Sequence, residues 1–139
     1  MNKKELDDLR KMFPPEGQDL FQRKMMALTM KPLKKPSGVN INTLKQRQGE
    51  CYMLSGEFVL YNKGWSLCHG ILNPPLGPHE GSNYEHAWSE KGKIVYEAVF
   101  DMFYDKEEYY KVYLPKVKKR FKFEEARKSI ALNETWGPW

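Results

Sequence analysis

The chain has 139 residues, of which 40% are apolar and 14% aromatic, and a formal net charge of +5. That length suits one compact domain, and that aromatic share can fill a core, which excludes a disordered chain. No run is long enough to cross a bilayer as a helix, and "MNKKELDDLRKMF" lacks the apolar stretch of a signal peptide, so a cytoplasmic protein without membrane contact is expected.

Asn2 is placed to cap a first helix, with Glu5 three residues on as its capping-box partner and Leu6, Leu9 and Phe13 on one face; Pro14 and Pro15 end it. A second amphipathic helix is predicted over Gln18–Met30, striped by Phe21, Met25 and Leu28. "KPLKKPSG", Lys31 to Gly38, reads as a basic, proline-broken linker. Residues 1–38 are therefore expected to form a helical extension and linker, and 39–139 a single α+β core.

Cys51 to Tyr61 is apolar with little alternation, and a helix is predicted there despite Gly56, with Cys51 at its N-terminal end. A strand follows over Trp65–Leu72, then the exposed loop "NPPLGPHEGS". "NYEHAWSEKGKIVYEA" reads as a hairpin, with strands Tyr84–Ser89 and Ile94–Phe100. "FDMFYDKEEYYKVYLPKV" adds a loop, a short helix or strand and a break at Pro115, and a last helix is predicted over Phe123–Leu132. Together these elements predict an α+β fold with a central cysteine-bearing helix on a small antiparallel sheet.

The hairpin places a histidine beside a carboxylate. If Lys91-Gly92 is a two-residue turn, Glu90 pairs with Lys93 and His86 falls opposite Glu97. Trp88, Val95, Tyr84 and Val99 surround that pair and dry it, so the carboxylate can hold the tautomer and favour the imidazolium. A slip of one residue would break the pairing and make Asp101 the next carboxylate.

Cys51 adds a nucleophile. A helix N-terminus and a neighbouring imidazolium both stabilise a thiolate, and cysteine, histidine and carboxylate together form a nucleophilic triad. Gln46 and Gln48 precede the cysteine and are candidate oxyanion donors. With only two cysteines in the chain, no disulfide scaffold is expected. Cys68, in the middle of "WSLCHGIL", reads as a buried apolar residue.

Cysteine at a helix start, then "HAW" on a strand, then an acid on the return strand resembles the transglutaminase-like branch of the papain-like superfamily, over about Gly49 to Phe100. The segment also resembles small phage and bacterial proteins with a Cys…HAW…acid pattern, several of them ending in "GPW". The resemblance implies Cys51 as nucleophile, His86 as base and Glu97 as orienting acid. It implies a hydrolase or acyltransferase acting on an amide or ester of a protein or peptide-like substrate. The family carries Asp-Pro where this chain has Glu97-Ala98, which leaves open whether Glu97 or Asp101 is the third member.

Three other readings compete. A zinc site would gather Cys51, Cys68, His69, His79 and His86, but C-x-x-C and H-x-x-x-H spacings are absent, and adjacent Cys68 and His69 point to opposite faces of a strand. No metal or other cofactor is expected. "KVKKRFKFEEARKS" carries Lys118, Lys119 and Arg120 among seven basic residues with Phe121 and Phe123 interleaved. Glu124 and Glu125 dilute that charge, which argues against nucleic acid; the patch would equally suit an acidic protein or substrate. The third is a binding or inhibitor protein on an inactive version of the fold, using "YYKVYLP" and "WGPW" as interface.

Overall fold

A computed structural model describes residues 2–10, 15–41 and 50–139. The fold is mixed α+β. Its elements in chain order are α1 (Lys3–Arg10), α2 (Pro15–Thr29), α3 (Cys51–Tyr61), β1 (Ser66–Leu72), β2 (Tyr84–Lys91), β3 (Ile94–Glu97), β4 (Met102–Asp105), α4 (Lys106–Tyr113), β5 (Lys116–Phe121) and α5 (Phe123–Asn133). The five strands form one antiparallel sheet in the order β4-β3-β2-β1-β5.

The capping box at α1 forms as its residues predict: Asn2 Oδ1 accepts from Glu5 N–H at 2.8 Å, and Glu5 Oε2 accepts from Asn2 N–H at 3.1 Å. The second helix starts earlier than its apolar stripe suggests, because Pro15 occupies its first position, where a missing N–H costs nothing. It docks by a buried cation. The Arg23 guanidinium donates to Asn73 O at 2.6 Å, Val112 O at 3.0 Å and Asn73 Oδ1 at 2.7 Å, while Leu28 stays exposed. Leu33 N–H donates to Phe103 O at 2.6 Å, which ties the linker to β4.

Largely apolar, α3 buries Leu54, Ser55, Gly56, Phe58 and Val59 and leaves Tyr61 exposed. It packs on the sheet face that carries Leu67, Tyr96 and Phe103, with Ala126 of α5 in the same cluster. Ser55 Oγ donates to Ala87 O at 3.1 Å, and Ser89 Oγ donates to Ser55 O at 3.4 Å, which fixes α3 against β2. The other face holds Cys68, Leu72, Trp88, Val95 and Tyr104, covered by α4 through Tyr109 and flanked by α2.

Two strands escape the sequence reading. At four residues, β4 is too short to show a period, and β5, "KVKKRF", is an edge strand whose lysines blunt its open side. The hairpin register also differs. Gly92, at φ +58°, takes the first central position of the turn, as a Gly-X type II′ turn requires. Lys91 therefore pairs with Ile94, Glu90 with Val95 and Ser89 with Tyr96, two residues from the predicted register. β3 ends at Glu97, where residues 98–101 turn instead of extending the strand to Phe100.

Candidate active site

Shifting a pairing by two residues keeps every side chain on its face. Glu97 thus stays on the His86 side of the sheet, as a diagonal neighbour instead of a directly opposed one. Its extra methylene spans the diagonal. Both carboxylate oxygens reach His86 Nε2, Oε1 at 2.9 Å and Oε2 at 2.8 Å. Each residue is only 3% exposed.

The pair is enclosed by aromatic side chains. Trp88 lies nearly parallel to the His86 ring, 6.4 Å away between centroids. Tyr109, on α4 and fully buried, donates its hydroxyl to Glu97 Oε2 at 2.8 Å. Burial, and then the Glu97 charge, hold that phenol well above its ordinary pKa, so it stays a donor. Tyr84 Oη lies 3.3 Å from His86 Nδ1. His79, from the loop before β2, stacks on Tyr84 at 4.3 Å.

Cys51, half-buried at the first position of α3, completes the set. β3 pairs with β2 only along Ser89–Lys91, so β2 runs on past it at His86. There Cys51 comes within hydrogen-bonding reach of the His86 ring. Burial alone would favour a neutral ring, but the Glu97 carboxylate and the Cys51 sulfur outweigh it and raise the His86 pKa to about 10. His86 is then an imidazolium at neutral pH, with both ring nitrogens donating. Nε2–H is committed to Glu97, and Nδ1–H, 3.3 Å from Tyr84 Oη, is the ring proton that the carboxylate does not hold.

Glu50 makes no side-chain cap on α3, and the first turn closes with Leu54 N–H donating to Glu50 O at 2.9 Å. The backbone N–H groups of Cys51, Tyr52 and Met53 precede that bond and have no partner within the helix.

Cys51, His86 and Glu97 are therefore brought together. Asp101 is not part of the group: its Oδ1 accepts from Tyr96 Oη at 2.7 Å, and Tyr96 projects from the opposite face of β3 to Glu97. Gln46 and Gln48 lie outside the described residues. Compared with known proteins, the chain matches no family model, no curated protein and no solved structure.

The remaining candidates lie elsewhere. Cys68 is wholly buried, its thiol 3.5 Å from Glu90 Oε2, and burial first, with the Glu90 charge, pushes its pKa up to about 12. Cys68 and His69 do point to opposite faces, and among the described residues no group of three His, Cys, Asp or Glu is arranged to hold a metal ion. On β5, Lys118 pairs with Glu85 at 3.4 Å, Lys119 donates to Trp139 O, and Arg120 reaches Glu90 Oε2 at 3.3 Å. No helix among the described residues is long and apolar enough to cross a membrane.

Tyr109 is the site residue that sequence reasoning missed. Its alignment with Glu97 depends on how α4 packs on the sheet, and no spacing in the sequence encodes that. Tyr84 was legible, lying two residues before His86 on one strand face.

Proposed function

We propose that the protein is a cysteine-nucleophile hydrolase or acyltransferase acting on an amide or ester of a peptide-like substrate, built on a papain- or transglutaminase-like core. One observation carries this reading: a half-buried thiol at a helix start lies within hydrogen-bonding reach of a histidine whose Nε2 is held by a buried carboxylate. Structural histidines on sheets need only one such partner. This one has an acid on Nε2 and a nucleophile within reach of the same ring.

In this mechanism the Cys51 thiolate attacks the acyl carbon, a C–S bond forms, and the carbonyl electron pair moves onto oxygen. The N–H groups at the start of α3 that have no partner within the helix, that of Cys51 first, hold the oxyanion. As the C=O bond re-forms, the C–N or C–O bond breaks, and His86 Nδ1–H protonates the departing amine or alkoxide. Water or an amine then attacks the thioester and gives its proton to His86, and the sulfur leaves as thiolate. Glu97 keeps the imidazolium oriented, and Tyr109 keeps Glu97 in place.

The test is iodoacetamide alkylation of Cys51 across pH in the parent and in His86→Ala. Buried Cys68 serves as the unreactive internal control. The parent is expected to react rapidly at pH 6, where an ordinary thiol is almost wholly protonated. His86→Ala is expected to react at least about ten-fold more slowly there. Equal rates in the two proteins would sink the enzyme reading. The binding-protein reading rests on the basic side chains of β5, and an effect on a partner that survives Cys51→Ala would favour it.

A further inference from the structure

A groove of about 410 Å³ lies between the first turn of α3 and the segment Thr135–Gly137, lined by Glu50, Tyr52, Met53, Thr135, Trp136 and Gly137. Cys51 does not line it, but Glu50 and Tyr52 flank Cys51 in the chain and Tyr52 is within electrostatic reach of the Cys51 sulfur.

Two of its walls are aromatic, and each is held from behind. Tyr52 stands edge-on to His69, with ring centroids 4.8 Å apart. His69 is backed in turn by Trp139 at 5.0 Å and Phe121 at 5.2 Å. Trp136 lies so close to α3 that a Cβ on Gly56 would fall 2.9 Å from its ring. Gly137 sits on the other side of His69, where a Cβ would meet the imidazole at 2.7 Å. The terminal "WGPW" and the glycine inside α3 thus share one role: they set a pre-formed wall beside Cys51.

Glu50 is the one charged side chain among the described residues lining this groove. It is exposed and makes no capping bond to α3. A carboxylate next to indole and phenol faces is the combination that recognises an organic cation. The acid pairs with the charge, the ring faces add cation–π attraction, and an alkyl stem lies along Met53 and the rings. The chain as a whole carries +5, so a preference for cations would come from this groove and not from the overall field.

We propose that the groove is the subsite for an alkylammonium or alkylguanidinium side chain of the substrate, seated beside the acyl carbon that Cys51 attacks. This rests on the reading of Cys51 as nucleophile, and it places a lysine or arginine next to the reacting bond.

The experiment is a ¹H–¹⁵N titration of the Trp136 indole N–H in Cys51→Ala, so that binding is measured without chemistry. The probes are Nα-acetyl-lysine methylamide, Nα-acetyl-arginine methylamide and, as the uncharged control, Nα-acetyl-norleucine methylamide. Both cationic probes are expected to shift the Trp136 signal saturably, about five-fold or more tighter than the control. Glu50→Gln, an exposed and near-isosteric change, is expected to remove most of that preference. Equal binding of all three probes overturns the proposal, as does a preference that Glu50→Gln leaves intact or shifts that miss Trp136. Alkylation of Cys51 in the parent tests the nucleophile separately. An unreactive Cys51 beside a cation-selective groove would refute the enzyme and the subsite's place in it, leaving a cation-binding groove; a reactive Cys51 beside an unselective groove would refute only the subsite.

Discussion

Tyr109 Oη lies 2.8 Å from the same Glu97 oxygen that sits 2.8 Å from His86 Nε2. The hydroxyl and the imidazole thus converge on one carboxylate oxygen, and all three residues are buried. Tyr109→Phe keeps the ring and removes only the donor. Hydrogen bonds to charged acceptors contribute about 1.5–3 kcal/mol, so urea unfolding should show a loss near the low end of that range, because His86 still satisfies the acid. With the carboxylate freer to rotate, Cys51 alkylation at pH 6 should slow by a few-fold. Unchanged stability and rate in Tyr109→Phe would remove Tyr109 from the site.

His86 should titrate far from an ordinary histidine. Burial works against its charge, and Glu97 and Cys51 reverse that, so its pKa stands at about 10. Glu97→Gln removes the largest upward influence and leaves the burial, so the His86 midpoint, followed by its Cε1–H resonance, should fall by several units. The sign for stability follows. The folded pKa lies above the unfolded value of about 6.5, so the contribution is fully present below pH 6.5 and is lost as pH rises through 10. Between pH 7 and 10 the parent should therefore lose its stability advantage over Glu97→Gln. A gap between the two proteins that stays constant over that range would contradict the ion pair.

Much of this arrangement could be read from the chain. The bounds of α3, Cys51–Tyr61, are those read from its largely apolar, non-alternating segment, and they put Cys51 in its first turn. The His86–Glu97 association was reached through a wrong register. It survives because a two-residue slip preserves the face, and because glutamate is long enough to cross the diagonal that aspartate would not span. By contrast, β4 and β5 exist through pairing with strands already in place, and their own residues carry little strand signal. Arg23 reads as a polar-face residue of α2, but burial of that helix against α4 turns it into the main anchor. Such placements are tertiary and have no local signature.

Gly70 is the least replaceable position near the site. It pairs with His86 across β1 and β2, and the β1–β5 register shifts between His69 and Gly70. A Cβ there would lie 2.2 Å from the carbonyl oxygen of Lys116 and 3.0 Å from the Trp88 ring. The first contact is with backbone and cannot be relieved by a rotamer. Gly70→Ala must separate β5 from β1 or push Trp88 off the His86 ring, so it should destabilise by about 3 kcal/mol or more, beyond ordinary overpacking. Thermal unfolding checks this. A melting temperature within a degree or two of the parent's would show that the strands are not this close.

His69 should give the protein an acid-sensitive limb. It is 3% exposed, and neither ring nitrogen has a hydrogen-bond partner among the described residues. Tyr52, Phe121 and Trp139 surround it, and Lys119 is the charged group that acts on it. Burial first, and then Lys119, lower its pKa to about 4. The folded protein therefore resists a proton that the unfolded chain accepts below about pH 6.5. The associated stability is complete above pH 6.5 and is lost as pH falls towards 4, to a total of about 3 kcal/mol. His86 works the other way between pH 7 and about 5.5, where its unfolded form is still taking up its proton, and adds nothing below that, where it is charged in both states. Glu90, the other group with a lowered pKa, acts below its ordinary value of 4.5. Urea unfolding at pH 7, 5.5 and 4.5 should show the parent weakening, mostly between pH 5.5 and 4.5. In His69→Phe, which keeps an aromatic ring among aromatic neighbours, most of that slope should vanish, whatever repacking costs at pH 7. A slope unchanged by the substitution would mean that the ring finds a proton acceptor in the folded protein, and that the wall behind Tyr52 is looser than these contacts imply.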